Sequence, residues 1–263
     1  MIIFPRDEKT KYYKIHYQYL LNILKRHDVI ELGPPTALDT TRFVITIDGQ
    51  EVLIDFSDFP DVYHNVDKYK VCFKFHCNDE ILQEHTNIHP IIPVSFYDWY
   101  KYYELEREIR YTCNTDRILC NQRPYAGALE RRKYVQALLK QTFQGVDTRI
   151  YPQEDFWKLI NECLVSVCVP GARNDMLDRG QLQQMAFGCC TISPYISDIF
   201  INVQDFDKIY IQCANDYSDL VEKIAWCKNN REECVEIGRR AKQWFQKNCL
   251  PQHLHKWIEL WVS

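Results

Sequence analysis

Residues 164–194 constrain the fold more than any other part of the chain. They begin with an apolar, β-branched run that ends at Pro170-Gly171, where glycine permits a turn. Apolar residues then recur at helical spacing over 178–187, Gly188 ends that helix, and a second apolar run covers 190–193. The order strand, turn, helix, strand predicts a βαβ unit.

The same alternation extends through the second half of the chain and predicts a parallel sheet covered by helices. Predicted strands cover 118–121, 148–151, 164–169, 190–193 and 210–212, and predicted helices cover 128–142, 155–163, 178–187, 218–228 and 231–247. Ligands of such sheets lie beyond the carboxyl ends of the strands, near the point where the strand order reverses. Arg123, Tyr151-Pro152 and 171–173 fall at those ends. Arg173 and Arg179 flank the start of a helix, a position that suits a diphosphate, and an ordinary βαβ unit with surface arginines is the alternative that the spacing allows.

The first half predicts a small α/β domain. Apolar runs at 43–47 and 52–56 are joined around Asp48-Gly49, a strong hairpin signal. Helices are predicted over 10–26 and 96–110, with a strand at 71–75. Pro251 begins a last amphipathic helix. We therefore predict an N-terminal domain over 1–114, a second domain over 115–250 and a terminal helix over 251–263.

Composition excludes several classes of protein. The net charge of −4 argues against a general nucleic-acid binder, which needs a concentrated basic surface. The chain has no apolar stretch long enough for a membrane-spanning helix, and its first apolar run is too short for a signal peptide. Its 12 cysteines, without a signal or an Asn-x-Ser/Thr acceptor, predict reduced thiols and a cytoplasmic protein.

A zinc site is the alternative explanation of the cysteines. The sequence has no Cys-x-x-Cys, and its nearest candidate ligands have spacing that differs from a zinc finger. Those candidates are Cys72, His76, Cys77, His85 and His89. We predict no metal, and keep a zinc-containing regulatory or nucleic-acid-binding protein as an alternative.

The segment around Arg179 resembles the donor-site core of the GT-B glycosyltransferases. That family has a pattern close to R-x-x-E-x-x-x-x-G-x-P-V-I, and here Arg179, Gln183, Gly188 and 190–193 fall in the corresponding positions. Segments 117–125, 130–132, 148–159 and 210–236 follow in the order of that family's C-terminal half. The first domain is similar only loosely.

The resemblance implies two Rossmann-like α/β domains facing a cleft, the N-terminal one small, with a C-terminal helix crossing back onto it. It implies a glycosyltransferase that moves a sugar from a UDP- or GDP-sugar to a glycan or other hydroxyl acceptor, with no metal or other cofactor required. The departing diphosphate would be stabilised by cations and helix N–H groups. The implied donor-binding residues are Arg123, Tyr151, Pro152, Gly171, Arg173, Arg179 and Gln183, with Arg131 and Arg132 as weaker candidates.

This chain departs from the family where many retaining members have paired glutamates. Gln183 and Asp175 stand at those positions, which favours an inverting reaction. Such a reaction needs a base beside the acceptor hydroxyl. The first-domain stretch Asp-Phe-Ser-Asp provides Asp58 as the first choice and Asp55 as the second, followed by His64. A turn or helix-capping role is the alternative for these aspartates.

A non-catalytic module that binds a nucleotide-sugar or a glycan is the second functional hypothesis, and the loss of glutamate at Gln183 favours it. Asp205-Phe206-Asp207 mimics the metal-binding motif of the rival GT-A fold, but it follows the βα repeats and is interpreted as a loop. The sequence leaves open the nucleotide, the sugar, the acceptor and the oligomeric state.

Overall fold

The computed structural model describes residues 1–6, 20–25, 30–57, 61–91, 99–171, 177–197 and 208–262. These residues form a mixed α/β fold with two sheets. Their contacts divide them into two compact units. The first unit holds the described residues up to Ile91 and those from Asn248 onward, and the second holds those from Trp99 to Lys247.

The first unit contains a six-stranded sheet in the order β2-β1-β3-β4-β5-β6. Its strands are β1 (Ile2–Pro5), β2 (Ile30–Gly33), β3 (Arg42–Ile47), β4 (Gln50–Asp55), β5 (Val71–Lys74) and β6 (Ile88–Pro90), and helix α1 (Asp79–Glu84) connects the last two. Strand β3 runs antiparallel to β1 and β4, whereas the other neighbouring strands are parallel. The sheet is therefore mixed, unlike the parallel sheet of a Rossmann-like domain.

The antiparallel pairing follows from the predicted hairpin, which is confirmed. Asp48 and Gly49 join β3 to β4 with φ angles of 48° and 81°. Two consecutive left-handed residues are typical of the tight type I′ turn, which asparagine, aspartate and glycine favour. The apolar residues on either side of this turn are buried, and the pair is packed on one face by a cluster that includes Val44, Leu53 and Ile88.

The second unit contains a five-stranded sheet in the order β11-β10-β9-β7-β8, with every neighbouring pair parallel. Its strands are β7 (Ile118–Leu119), β8 (Val146–Asp147), β9 (Val165–Val167), β10 (Thr191–Ser193) and β11 (Ile211–Gln212). Its helices are α2 (Trp99–Glu108), α3 (Leu129–Thr142), α4 (Gln153–Lys158), α5 (Arg179–Ala186), α6 (Leu220–Asn229) and α7 (Arg231–Asn248). The predicted alternation of strands and helices is thus present, and the order reverses between β7 and β9.

Helix α2 belongs to the second unit, so the units divide before it and not at residue 114. The cause is aromatic packing. The Tyr102 ring lies 5.6 Å from the rings of both Phe187 and Phe245, and Trp99 lies 5.7 Å from Tyr102. All four side chains are buried.

Gly188 ends α5 with a φ of 81°, as its position in the sequence predicts. Helix α7 approaches this turn closely. A Cβ atom built at Gly238 would lie 2.0 Å from the Gly188 carbonyl oxygen, so only glycine fits at this point of α7.

The C-terminal helix α8 (Pro251–Val262) begins at the predicted proline and packs on the first unit, where the Trp261 ring stacks on His89 at 3.8 Å. None of the helices within the described ranges combines the length and the apolar character that a bilayer crossing demands.

Candidate functional site

A pocket of about 220 Å³ opens at the carboxyl ends of β7, β8 and β9. It is lined by Asn121, Gln122, Ile150, Tyr151, Gln153, Phe156, Val167, Gly180 and Gln184. These residues come from the loops after β7 and β8, from β9, and from helices α4 and α5. Because the strand order reverses between β7 and β9, the pocket occupies the topological switch point at which open α/β sheets bind their ligands.

The lining combines carboxamides and a phenol with apolar side chains and a glycine. Carboxamides offer both hydrogen-bond donors and acceptors without charge. The pocket therefore suits a neutral ligand group that has a polar part and a flat or apolar part, such as a heterocycle with a sugar.

One wall of the pocket is the loop after β8. Asp147, the last residue of β8, accepts hydrogen bonds from the Tyr151 hydroxyl at 2.7 Å and from Nη2 of Arg149 at 2.7 Å. The Arg149 guanidinium lies 5.1 Å from the centre of the Tyr151 ring. Burial alone would raise the pKa of Asp147, but the hydrogen bonds from Arg149 and Tyr151 hold that pKa well below its usual range. The carboxylate is therefore ionised at neutral pH.

The opposite wall is held by Gln122. Its Oε1 accepts a hydrogen bond of 2.7 Å from the Val169 backbone N–H, and its Nε2 donates one of 3.3 Å to Asp178. Asp178 caps α5 by accepting from the Gly180 N–H at 2.7 Å. The loop after β7, the end of β9 and the start of α5 are thus joined through a single amide side chain.

The Pro170-Gly171 turn is held by two neighbouring arginines of α3. Nη2 of Arg131 donates to the Pro170 carbonyl at 2.8 Å, and Nε of the buried Arg132 donates to the Val169 carbonyl at 2.9 Å. Arg132 also bonds the Arg123 carbonyl at 2.8 Å and lies 3.4 Å from Asp178. Both arginines therefore position backbone at the edge of the sheet.

Gln183, which the resemblance assigns to the ribose, faces elsewhere. Its Oε1 accepts a hydrogen bond of 3.0 Å from Nε1 of Trp157, and both side chains are buried. The next residue, Gln184, lines the pocket, and its Oε1 lies 3.3 Å from Sγ of Cys168. Helical rotation by one residue accounts for the difference.

The other predicted donor-binding residues surround the pocket to different degrees. Tyr151 lines it, and Pro152 precedes α4. Arg179 is the exposed first residue of α5, and Arg123 is exposed on the loop after β7. Gly171 lies against Tyr125, because a Cβ built there would be 2.8 Å from the Tyr125 hydroxyl. Arg173 lies outside the described residues.

Asp55, one of the predicted bases, is 1% exposed at the end of β4. Its Oδ2 accepts from Nε of Arg42 at 3.0 Å and from Nζ of the fully buried Lys74 at 3.1 Å, and its Oδ1 accepts from the Ser57 N–H at 2.9 Å. Burial would lower the pKa of Arg42, but the charge of Asp55 and hydrogen bonds from Arg42 to carboxylates raise it. A carboxylate bonded in this way is suited to holding the strand end and poorly placed to take a proton from a ligand.

The remaining base candidates do not extend this group. Asp58, the first choice, lies outside the described residues. His64 is exposed on a turn, with its ring centre 4.6 Å from that of Tyr63.

The candidate zinc ligands do not converge. Searching the part of the chain that the structure describes yields no group of three or more His, Cys, Asp or Glu side chains that could hold a metal ion. Cys72 and Cys77 are buried, and burial raises the pKa of both thiols, that of Cys77 to about 11. His89 packs against Trp261, and His85 lies 3.8 Å from Asp67.

Several residues of the pocket and of the Asp55 group were not predicted from the sequence. Asn121 ends the predicted strand at 118–121 and Gln122 follows it directly, which is a usable signal. The buried Lys74 directly follows the apolar run Val71-Cys72-Phe73, and a cation in such a buried strand needs a carboxylate partner. The hydrogen bond between Gln122 and Val169 joins segments that are far apart in the sequence, so no local sequence pattern predicts it.

No family model matches the chain. The chain is 33% identical over 72 residues to the uncharacterized protein 179R of Invertebrate iridescent virus 6, a match that covers 24% of this chain and 6% of that protein. The chain thus spans only a small part of the length of this viral relative.

Proposed function

We propose that this chain is a GT-B glycosyltransferase that binds a nucleoside-diphosphate sugar and transfers its sugar to a glycan or other hydroxyl acceptor. The observation that carries this proposal is the pocket at the switch point between β7 and β9. It lies in the part of the chain that resembles the donor-binding half of that family.

We assign the pocket to the nucleoside half of the donor. Its carboxamides would bond the base and the ribose hydroxyls, and Tyr151 offers an aromatic face for the base. Gln184 replaces Gln183 in our assignment, because Gln184 lines the pocket and Gln183 bonds Trp157.

We assign the diphosphate to the start of α5. Arg179 is exposed there, and Arg123 is exposed on the loop after β7. Gly180 lines the pocket, and because glycine has no side chain a ligand can approach its backbone closely. Cations so placed stabilise the charge that develops on a departing diphosphate, and such a mechanism requires no metal. Arg173 belongs to this group by sequence. We assign the acceptor to the first unit, with Asp58 as the base of an inverting transfer and Asp55 as a structural neighbour, and we place the protein in the cytoplasm.

A non-catalytic module that binds a nucleotide-sugar is the second candidate. The observation that favours it is that three hydrogen bonds hold the Asp55 carboxylate in a structural role, which leaves only Asp58 and His64 of the predicted bases.

Thermal unfolding with UDP, GDP, dTDP, CMP and their sugars, in EDTA, tests the binding. One diphosphate class should raise the midpoint by mass action, and Arg179→Ala should reduce that shift. Arg239→Ala is the matched control, because Arg239 is an exposed arginine of α7 paired with Glu236. If no nucleotide shifts the midpoint of folded protein, the proposal is wrong.

Release of the free diphosphate in the presence of glycan acceptors separates the two candidates. An enzyme releases it in a reaction that Asp58→Asn or His64→Ala slows, and NMR of the product shows an inverted anomeric centre. Binding of the donor with no transfer to any acceptor supports the non-catalytic module.

A further inference from the structure

Asp147 collects more hydrogen bonds than its position at a strand end requires. Besides the Tyr151 hydroxyl and Nη2 of Arg149, its carboxylate accepts from the Arg149 N–H and Nε, both at 3.1 Å. It is 5% exposed. Turn-forming aspartates commonly accept one backbone N–H, but here the side chains of two following residues fold back onto the same group.

These bonds reach the pocket from two sides. Tyr151 lines the pocket on the loop after β8, and Asn121 lines it on the loop after β7. Nδ2 of Asn121 lies 3.4 Å from Oδ1 of Asp147 and donates a hydrogen bond of 2.8 Å to the Arg149 carbonyl. Asp147 does not itself line the pocket, so it acts on a ligand only through these neighbours.

The ion pair with Arg149 does not explain the arrangement by itself. The Arg149 side chain is 68% exposed, and ion pairs to exposed arginines contribute little to stability. Tyr151 is half-buried, its hydroxyl donates to the same carboxylate at 2.7 Å, and a hydrogen bond to a charged acceptor is shorter and stronger than a neutral one. The carboxylate therefore constrains the tyrosine ring as well as the arginine.

We propose that Asp147 is a positioning residue for the ligand pocket, which fixes the Tyr151 ring and the Asn121 amide in the orientation that a nucleoside requires. This inference rests on the proposed function for the identity of the ligand. Its geometric part, the ordering of the loop from residue 148 to 152, stands without any ligand.

Hydrogen exchange and nucleotide affinity test the two parts separately. In the absence of nucleotide, Asp147→Asn should speed amide exchange over 148–152, whereas Arg149→Ala, which keeps the bond between Asp147 and Tyr151, should change it less. With the nucleotide that stabilises the wild type, Asp147→Asn and Tyr151→Phe should each raise Kd by about three- to tenfold, the range expected for one hydrogen bond.

A double-mutant cycle distinguishes positioning from a general loss of stability. If Asp147 acts through the Tyr151 hydroxyl, the double variant should bind no more than about twofold more weakly than the weaker single variant, because coupled residues are not additive. Independent, multiplying effects on Kd would overturn the proposal, as would an unchanged Kd in a folded Asp147→Asn protein.

Failure of Asp147→Asn to fold and failure of the wild type to bind nucleotide are separate outcomes. If Asp147→Asn does not fold, Tyr151→Phe alone decides, since it removes only the hydroxyl, and an unchanged Kd in that variant would overturn the proposal. If the wild type binds no nucleotide, the proposed function fails, and unchanged exchange over 148–152 in Asp147→Asn would overturn the ordering claim by itself.

Discussion

Nε1 of Trp157 donates a hydrogen bond of 3.0 Å to Oε1 of Gln183. The bond joins α4 to α5 beneath the pocket, where both side chains are buried. Gln183 is thus part of the packing, while its neighbour Gln184 lines the pocket.

Alanine at these two glutamines should change different properties, stability at Gln183 and nucleotide affinity at Gln184. Gln183→Ala removes the acceptor of a buried N–H, so we expect it to lower the free energy of unfolding by about 1–3 kcal/mol. We expect it to leave nucleotide affinity of the folded protein nearly unchanged. Gln184→Ala should weaken nucleotide binding by about fivefold or more through a lost ligand contact. Urea unfolding and titration calorimetry measure the two quantities, and a larger loss of affinity at Gln183 than at Gln184 would contradict the assignment.

Asp55 and Lys74 should be strongly coupled in stability. Asp55→Asn leaves the fully buried Lys74 without its charged partner at 3.1 Å, and breaking such a pair costs about 3–5 kcal/mol. The double variant Asp55→Leu with Lys74→Met removes both buried polar groups, so it should be more stable than Asp55→Asn alone. Denaturant unfolding of Asp55→Asn, of the single variants Asp55→Leu and Lys74→Met, and of the double variant checks this, and additive losses of the two single variants would show that the pair is not coupled.

The sequence predicts the order of elements in this chain better than it predicts the side chains of the site. The hairpin at Asp48-Gly49 and the helix ending at Gly188 depend on local backbone preferences, which a short window contains. The strand predicted at 148–151 lies instead at Val146–Asp147, because Arg149 and Tyr151 bond the Asp147 carboxylate and leave the ladder.

Long-range bonds explain most of the other differences. Arg131 and Arg132 are spaced as helix-surface charges, yet they bond carbonyls at Val169 and Pro170. Which face of α5 meets the pocket depends on how that helix packs against β9 and α4, and a one-residue rotation exchanges Gln183 for Gln184. Periodicity alone does not fix that rotation for a helix whose residues from 181 to 186 are all buried.

Gly238→Ala should be the most damaging conservative substitution in α7. The added Cβ would lie 2.0 Å from the Gly188 carbonyl oxygen, which is backbone and moves only if the helix moves. We expect a loss of about 3 kcal/mol or more, at the upper end of overpacking effects. Gly127→Ala is the control, because a Cβ there meets nothing within 4 Å, and it should change stability by less than about 0.5 kcal/mol. Equal midpoints for the two variants in thermal unfolding would show that α7 does not approach the turn this closely.

Asp147 should contribute to stability in a pH-dependent way. Its folded-state pKa is held below the unfolded value of about 3.9, so the unfolded chain takes up the proton first as the pH falls. The contribution of the charge is therefore fully present above about pH 5 and is lost as the pH falls through the folded-state pKa. The difference in unfolding free energy between wild type and Asp147→Asn should be constant near neutral pH and shrink below about pH 4. A difference that grows as the pH falls would show that the folded-state pKa of Asp147 is raised and not lowered.

The proposed function requires that the pocket at the ends of β7, β8 and β9 binds a nucleoside-diphosphate sugar. Hydrogen exchange by mass spectrometry, with and without each donor nucleotide, tests this claim because the method also locates the bound ligand. We predict slower exchange over residues 121–123, 148–153 and 179–184 with one class of nucleotide, and no comparable change in the first unit's β3–β4 hairpin. Protection confined to other segments, or no protection with any nucleotide at millimolar concentration, would contradict the claim.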